Sequence, residues 1–295
     1  AMQINKHGSF YIRNGWPTKA IDAIQKDDHI YSPNNELLAV DTIGVGRVMI
    51  KSMRYWATVL GLATEGKDQQ GICHALTPLG QLIAENDIYC TDVGTLWLLH
   101  RNLAINEDEA TAWYWAFNVL ADTEFDKNTF SDSFYSYLQR EGTSYTSKAV
   151  AKEFDCFKNT YVSEQAFSLS KVLEEDTIPF FAPLHLIEYK GRGVFEKHKL
   201  AAQEIPVDIF LYSILADNSE HLIENRQISI STLLENPGQV GKYMNISFPV
   251  MLELLQRLEN AGYLRLVNNF GSRYVEIFPI DAQEILADHY HRIGR

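Results

Sequence analysis

Cysteine is scarce in this chain: three in 295 residues, at positions 73, 90 and 156. An odd number, wide spacing and no CxxC pair exclude a disulfide framework or a zinc knuckle and fit free thiols in a reducing compartment. Long apolar runs are missing too, and nothing approaches the ~20 residues a membrane helix needs. The stretch from Met2 to Ile12 mixes polar and apolar residues, unlike a secretory signal. A cytoplasmic protein without membrane contact is the expectation. There is no P-loop, dinucleotide glycine fingerprint or nucleophile elbow. Gly44-Val45-Gly46 lacks a third glycine and a preceding strand, so it reads as a turn device and not a phosphate cradle. His74, His100 and His185 have no partners at metal-ligand spacing, and His289 and His291 stand as an isolated pair. Cys156 lies among bulky apolar residues, the setting of an inert thiol. No catalytic residue, metal ligand or cofactor is assigned, although a dispersed active site would leave no local signature.

What is present is an ordinary globular composition, 46% apolar and 22% charged, which argues against long disorder. This length suggests two or three domains sharing interfaces. The net charge of −12 is unevenly spread: +1 over residues 1–80, −10 over 81–215 and −3 over 216–295. The acidic middle counts mildly against DNA and suits a basic protein partner. A local basic face elsewhere can still bind phosphate.

Along the chain, Trp16-Pro17-Thr18 opens a first helix, with Pro17 suited to its first turn. Ser32-Pro33-Asn34-Asn35 breaks it, residues 36–40 make a short second helix, and a third runs from Arg47 to about Leu60, stopped by Gly61. The period then changes from helical to alternating. Residues 62–64 and 72–76 flank a polar turn over 65–71, a hairpin signal, and Thr77-Pro78 caps a fourth helix. Three helices followed by a two-stranded ribbon is the order of a winged helix-turn-helix. Near the other end the pattern recurs. A short helix spans 228–234, Asn236-Pro237-Gly238 is a break, Ser247 caps a helix that stops at Gly262, and residues 263–267 and 273–278 form a second wing. The predicted fold is mainly α. Winged modules at 1–90 and 216–295 flank an all-α, aromatic-rich middle at 91–215, and a short hairpin is expected somewhere within 176–206.

The third helix carries the sharpest chemistry. At 100° per residue, Arg47, Lys51, Arg54 and Thr58 share one stripe, with Met49, Met53, Trp56 and Leu60 opposite. A cationic front on an apolar back is what a recognition helix presents to a phosphate-lined major groove. Any surface helix has a polar face, and arginine is common there. The context tips the reading to groove binding: a turn before, a wing with Lys67 after, and no acid between Asp41 and Glu65. The second module is weaker in this respect, because Glu253, Arg257 and Glu259 give its helix a mixed front. Arg265 and Arg273 on its wing could reach a phosphate backbone, but docking to protein or structural packing fits it better. Trp97 and Trp113-Tyr114-Trp115 could stack on bases, yet apolar neighbours at helical spacing mark them as core.

The segments HGSFYIRNGWPTKAIDAI (7–24), GVGRVMIKSMRYWATVLGL (44–62), LTPLGQLI (76–83), TLWLLHRNLA (95–104) and TAWYWAFN (111–118) resemble domain-of-unknown-function family four-thousand-seven, a bacterial family of about this length. DCFKNTY (155–161) and NPGQV (236–240) continue the likeness more loosely. The resemblance implies a neighbourhood of DNA-modification and phage-defence genes, including phosphorothioate systems, and carries no catalytic residues with it. The expected role is that of a DNA-binding accessory subunit, with double-stranded DNA held weakly by the chain alone and the acidic middle facing other subunits of the complex. A homodimer is compatible with it. The alternatives are a scaffold whose winged modules bind protein, a local transcriptional regulator, and an enzyme with a dispersed site.

All three cysteines are expected to titrate as free thiols after denaturation. A native intramolecular disulfide in the mass spectrum of the non-reduced protein would overturn this.

Overall fold

In the computed structural model, residues 1–164 and 178–294 are described. The first two positions of the irregular stretch expected at 176–206 lie outside them. The N-terminal elements come in the expected order: α1 (Trp16–Lys26), a 3-10 turn at 33–35, α2 (Glu36–Ile43), α3 (Arg47–Val59), β1 (Ala63–Asp68), β2 (Gly71–Leu76) and α4 (Pro78–Asn86). Pro17 sits in the first turn of α1, and the Thr77 hydroxyl caps α4 by accepting from Gly80 N at 2.9 Å. Gly80 is obligatory there, since a Cβ would run into the Leu62 carbonyl.

The first ribbon is longer than its sequence suggests. Residues 65–68 pair in register with 71–74, so only Gln69 and Gln70 make the turn. On β1 residues 65–68 are all exposed, and a strand with so little buried face loses the alternation by which strands are recognised. The tight turn is held by Asp68, whose carboxylate accepts from Gln70 N and Gly71 N at 2.8 and 3.1 Å.

The middle contains helices α5 (Val93–Ala104), α6 (Thr111–Asn118), α7 (Lys127–Arg140) and α8 (Ser147–Tyr161). It is not all-α. The hairpin β4 (Ile187–Gly191) and β5 (Val194–Lys197) is joined by β3 (Glu124–Phe125) into a three-stranded antiparallel sheet of order β3-β5-β4. Phe125, in the middle expected to be all helical, pairs with Phe195, because the capping box between Asp126 and Thr129 starts α7 only afterwards.

Helices α9 (Val207–Asp217) and α10 (Ser219–Glu224) lead to the last segment. It comprises β6 (Gln227–Ser229), α11 (Ile230–Glu235), α12 (Val240–Tyr243), α13 (Phe248–Asn260), β7 (Leu264–Asn269), β8 (Ser272–Ile277) and α14 (Ala282–Ile293). Here β6 adds a third strand to the ribbon, in the order β6-β8-β7, where the pattern alone gave a helix from Ile228. Ser247 occupies the N-cap of α13, but its hydroxyl makes no bond to the helix.

Buried apolar residues from all three regions form one continuous cluster. Its centre is aromatic: Trp56, Trp97 and Trp113 are each no more than 1% exposed, as the helical spacing of apolar residues implied. Trp56 meets Trp113 edge to face at 5.7 Å, and the Trp56 indole N–H donates to the Phe10 carbonyl at 3.0 Å. Farther along, the buried His100 ring receives the Tyr161 hydroxyl at Nδ1 (2.7 Å) and donates from Nε2 to the Tyr243 carbonyl (2.6 Å). Burial holds this imidazole neutral, its pKa pushed down to about 3.

The C-terminal helix is fastened to the middle by charge. His289 is buried on α14 with Nδ1 2.6 Å from Asp208 at the start of α9 and Nε2 2.7 Å from Asp92, the N-cap of α5. Arg292 pairs with the same Asp208, and the Thr95 hydroxyl bonds that of Tyr290 at 2.8 Å. Gly94 is required beneath the ring, because a Cβ would come within 2.5 Å of Nε2. With a carboxylate at each ring nitrogen, both must carry protons. Burial opposes that charge, but the bonds to Asp208 and Asp92 outweigh it and raise the pKa to about 9.

The imidazolium therefore stabilises the fold fully below its unfolded value of about 6.5, and the contribution disappears as pH rises toward 9. We expect the melting temperature to fall over that window, by the equivalent of at most about 3 kcal/mol. His289→Gln should be less stable at pH 6 and should lack this slope. An unchanged slope in the variant would show that another group sets it.

Candidate nucleic-acid interface

The front of α3 is exposed because its back is fully committed. Ile50, Met53, Trp56, Ala57 and Val59 are buried, and the Ser52 hydroxyl donates to the His7 carbonyl at 2.8 Å. Arg47 and Lys51 project from the N-terminal half of the helix and are exposed. Arg47 has only a long ion pair, 4.0 Å, with Glu36 of α2. The Lys51 side chain has no hydrogen bond or ion pair to another described residue. Thr58 lies at the far end of the stripe, half-buried, its hydroxyl turned back to the Tyr55 carbonyl at 2.9 Å.

Arg54 is different. Its Nε and one terminal nitrogen donate to the two carboxylate oxygens of Glu65, each at 2.7 Å. This is a two-pronged clamp between α3 and β1. Glu65 also bonds the buried His74 of β2, Nε2 to Oε2 at 3.1 Å. The Arg54 guanidinium holds the Glu65 carboxyl below its usual range, and burial pushes the His74 imidazole down. Sequence reasoning missed this clamp. The signal was available: Glu65 is the residue that ends the acid-free stretch, on the strand that directly follows the helix.

Cross-strand register sorts the ribbon into two faces. Glu65 opposes His74, and Lys67 opposes Ile72, so the exposed Lys67 shares the face that carries the clamp. Among the assigned residues on these elements, Arg47, Lys51 and Lys67 are thus the cations not bound closely to an acid. The other two assigned residues belong to the second ribbon. Arg265 pairs with Glu276 across the strands at 2.6 Å. Arg273 is exposed and lies 5.5 Å from the centre of the Phe248 ring. Beside it a cavity of about 420 Å³ is lined by Ser229, Ser231, Leu234, Phe248 and Arg273, among others. Phe270, at the tip of that ribbon, is fully exposed. The two ribbons belong to different sheets.

Residues 4–290 match a family model described as "Protein of unknown function (DUF4007)". The chain belongs to the DUF4007 family. No curated protein matches it. Two solved structures do. "Magnesium ion-bound SspB crystal structure" aligns with TM-score 0.84 and 23% identity, covering 99% of this chain and 89% of that one. "SspB crystal structure" aligns with TM-score 0.82, 22% identity and the same coverage. At such identities the likeness shows that this DUF4007 chain and those proteins share a fold across almost their whole lengths.

Proposed function

We propose that this protein is a DNA-binding accessory subunit of a DNA-modification apparatus of the phosphorothioation type, or of a related phage-defence system. Residues 16–86 act as a winged helix-turn-helix, with the N-terminal half of α3 directed at the major groove. The observation that carries the reading is the pair Arg47 and Lys51, exposed on the first turns of a helix whose opposite face is buried, with Lys67 on the adjoining ribbon. In helix-turn-helix modules it is the N-terminal residues of the recognition helix that approach the bases. The order of helices and ribbon supports the same role, and the gene neighbourhood that the family resemblance implies is compatible with it.

On this reading Glu65 competes with DNA for Arg54. A carboxylate already fills the guanidinium fork that a phosphate would use, so the resting chain presents two or three phosphate contacts and binds weakly. The acidic middle, at −10 over residues 81–215, repels DNA and favours a cationic surface on a partner subunit.

A second reading, a protein scaffold, is supported by the other end of the chain. Phe270 stands fully exposed, Phe248 is 39% exposed under Arg273, and both Phe248 and Arg273 line the cavity. Exposed aromatics beside an arginine are the anchors of protein interfaces.

Fluorescence anisotropy with duplex DNA across a salt series separates the two. We expect a Kd on the order of 10⁻⁴–10⁻⁶ M and a log–log slope near −2, at about −0.9 per phosphate. Changing Arg47, Lys51 and Lys67 together to Ala should remove most binding and leave the melting temperature nearly unchanged. Glu65→Gln should free Arg54, raise affinity and steepen the slope by about 0.9. If the triple variant binds as the parent does, α3 is not the contact and the scaffold reading takes its place.

A further inference from the structure

The face of the first ribbon turned away from the clamp carries a different set of side chains. Cys73 opposes Gly66 in the register and Asp68 opposes Gly71, so Asp68 and Cys73 lie on one side, two residues removed from each other along the pleat. His29, in the turn after α1, meets them there. Its Nε2 is 3.0 Å from both carboxylate oxygens of Asp68. The donor atoms of His29, Asp68 and Cys73 all lie within 4.8 Å of one another. On its other side the ring is held by Asp28, Nδ1 to Oδ1 at 2.6 Å, and the His29 backbone N–H is fixed by Asp27 at 2.9 Å.

We propose that His29, Asp68 and Cys73 bind a divalent transition-metal ion of the zinc class, with Asp28 as the outer partner that orients the imidazole. Three observations carry this. The donors are of three kinds, an imidazole nitrogen, a carboxylate oxygen and a thiol sulfur, and they come from two separate parts of the chain. A sulfur in the set selects zinc or cobalt over magnesium. Secondly, a carboxylate on Nδ1 with Nε2 aimed at the remaining donors is the carboxylate–histidine arrangement that accompanies ligating histidines. Thirdly, the geometry needs little change. Bonds of about 2.0–2.3 Å to zinc give a tetrahedron with edges of roughly 3.3–3.7 Å. The His29–Asp68 pair opens by a few tenths of an ångström to reach that, and the thiol closes by about 1 Å at most. One carboxylate and one thiolate balance the ion's charge, and the exposed side of Asp68 leaves the fourth position to water. The consequence for the chain is a cross-link between the α1–α2 turn and the tip of the ribbon, independent of whether that ribbon touches DNA.

The test uses the full chain after chelation, titrated with Co(II). A thiolate-to-cobalt charge-transfer band and the visible bands of tetrahedral cobalt should grow to one equivalent and collapse on adding Zn(II), while a large excess of Mg(II) leaves them unchanged. Cys73→Ser should abolish the charge-transfer band with the circular dichroism of the metal-free chain intact. Asp28→Asn should keep the spectrum and weaken affinity by about 10–100-fold. An independent measurement is alkylation of the native chain. Cys90 and Cys156 are buried and Cys73 is half-buried, so Cys73 should react first, and Zn(II) should protect it. A band that survives Cys73→Ser, the absence of any cobalt spectrum, or equal competition by Mg(II) would each overturn the assignment, the last in favour of an oxygen-only site.

Discussion

The packing of Trp56 is the constraint on which the N-terminal surface depends. This indole is 1% exposed, edge-on to Trp113 of the middle and hydrogen-bonded to the loop before α1. It sets the rotation of α3 about its own axis, and that rotation alone decides which residues face solvent. Removing so large a buried ring from a well-packed site costs about 3–5 kcal/mol, a sizeable part of the net stability of an ordinary domain. The loop it anchors is itself tied down: His7 bonds the buried Glu153 of α8 at 2.8 Å, and Asn5 N–H donates to the same carboxylate at 2.9 Å. The exposed front of α3 is therefore a property of the whole N-terminal half and not of the helix by itself.

Much of this was legible in the residues. The apolar back of α3, the stop at Gly61, the cap at Thr77 and the aromatic core all follow from period and capping chemistry, because each is settled within a turn or two of chain. What was not legible depends on partners remote in sequence. Phe125 joins a sheet through Phe195, and β6 finds β8. Such short strands carry no period long enough to read, and their state is set by the neighbour they meet. The same holds for the interface. The stripe Arg47, Lys51, Arg54 looks uniform by helical angle, yet Glu65 makes its third member unlike the other two. His29 drew no attention because its ligand-like neighbours, Asp68 and Cys73, are 39 and 44 positions away, and no local spacing encodes that.

The junction between the middle and the last segment is polar where the core is apolar. Arg101 reaches Asp217 at 2.7 Å, and the Tyr243 hydroxyl bonds the same carboxylate. Burial raises the Asp217 pKa despite the guanidinium beside it. Stripping one member of such a set leaves an uncompensated buried charge, so this junction tolerates replacement of the group more readily than loss of one side chain. That fits a role in fixing how the segments meet and adds little to net stability.

The fastening of α14 also has a consequence in time. Asp92 and Thr95 open α5, but the groups they bind, His289 and Tyr290, lie 197 and 195 residues later. At translation rates of about 5–20 residues per second, α5 leaves the ribosome roughly 10–40 s before its partner helix. Through that interval the cap carboxylate has no imidazolium, and the groove above Gly94 has no ring to fill it. The nascent chain must keep this surface from pairing wrongly, or have it shielded, until the last helix arrives to close it.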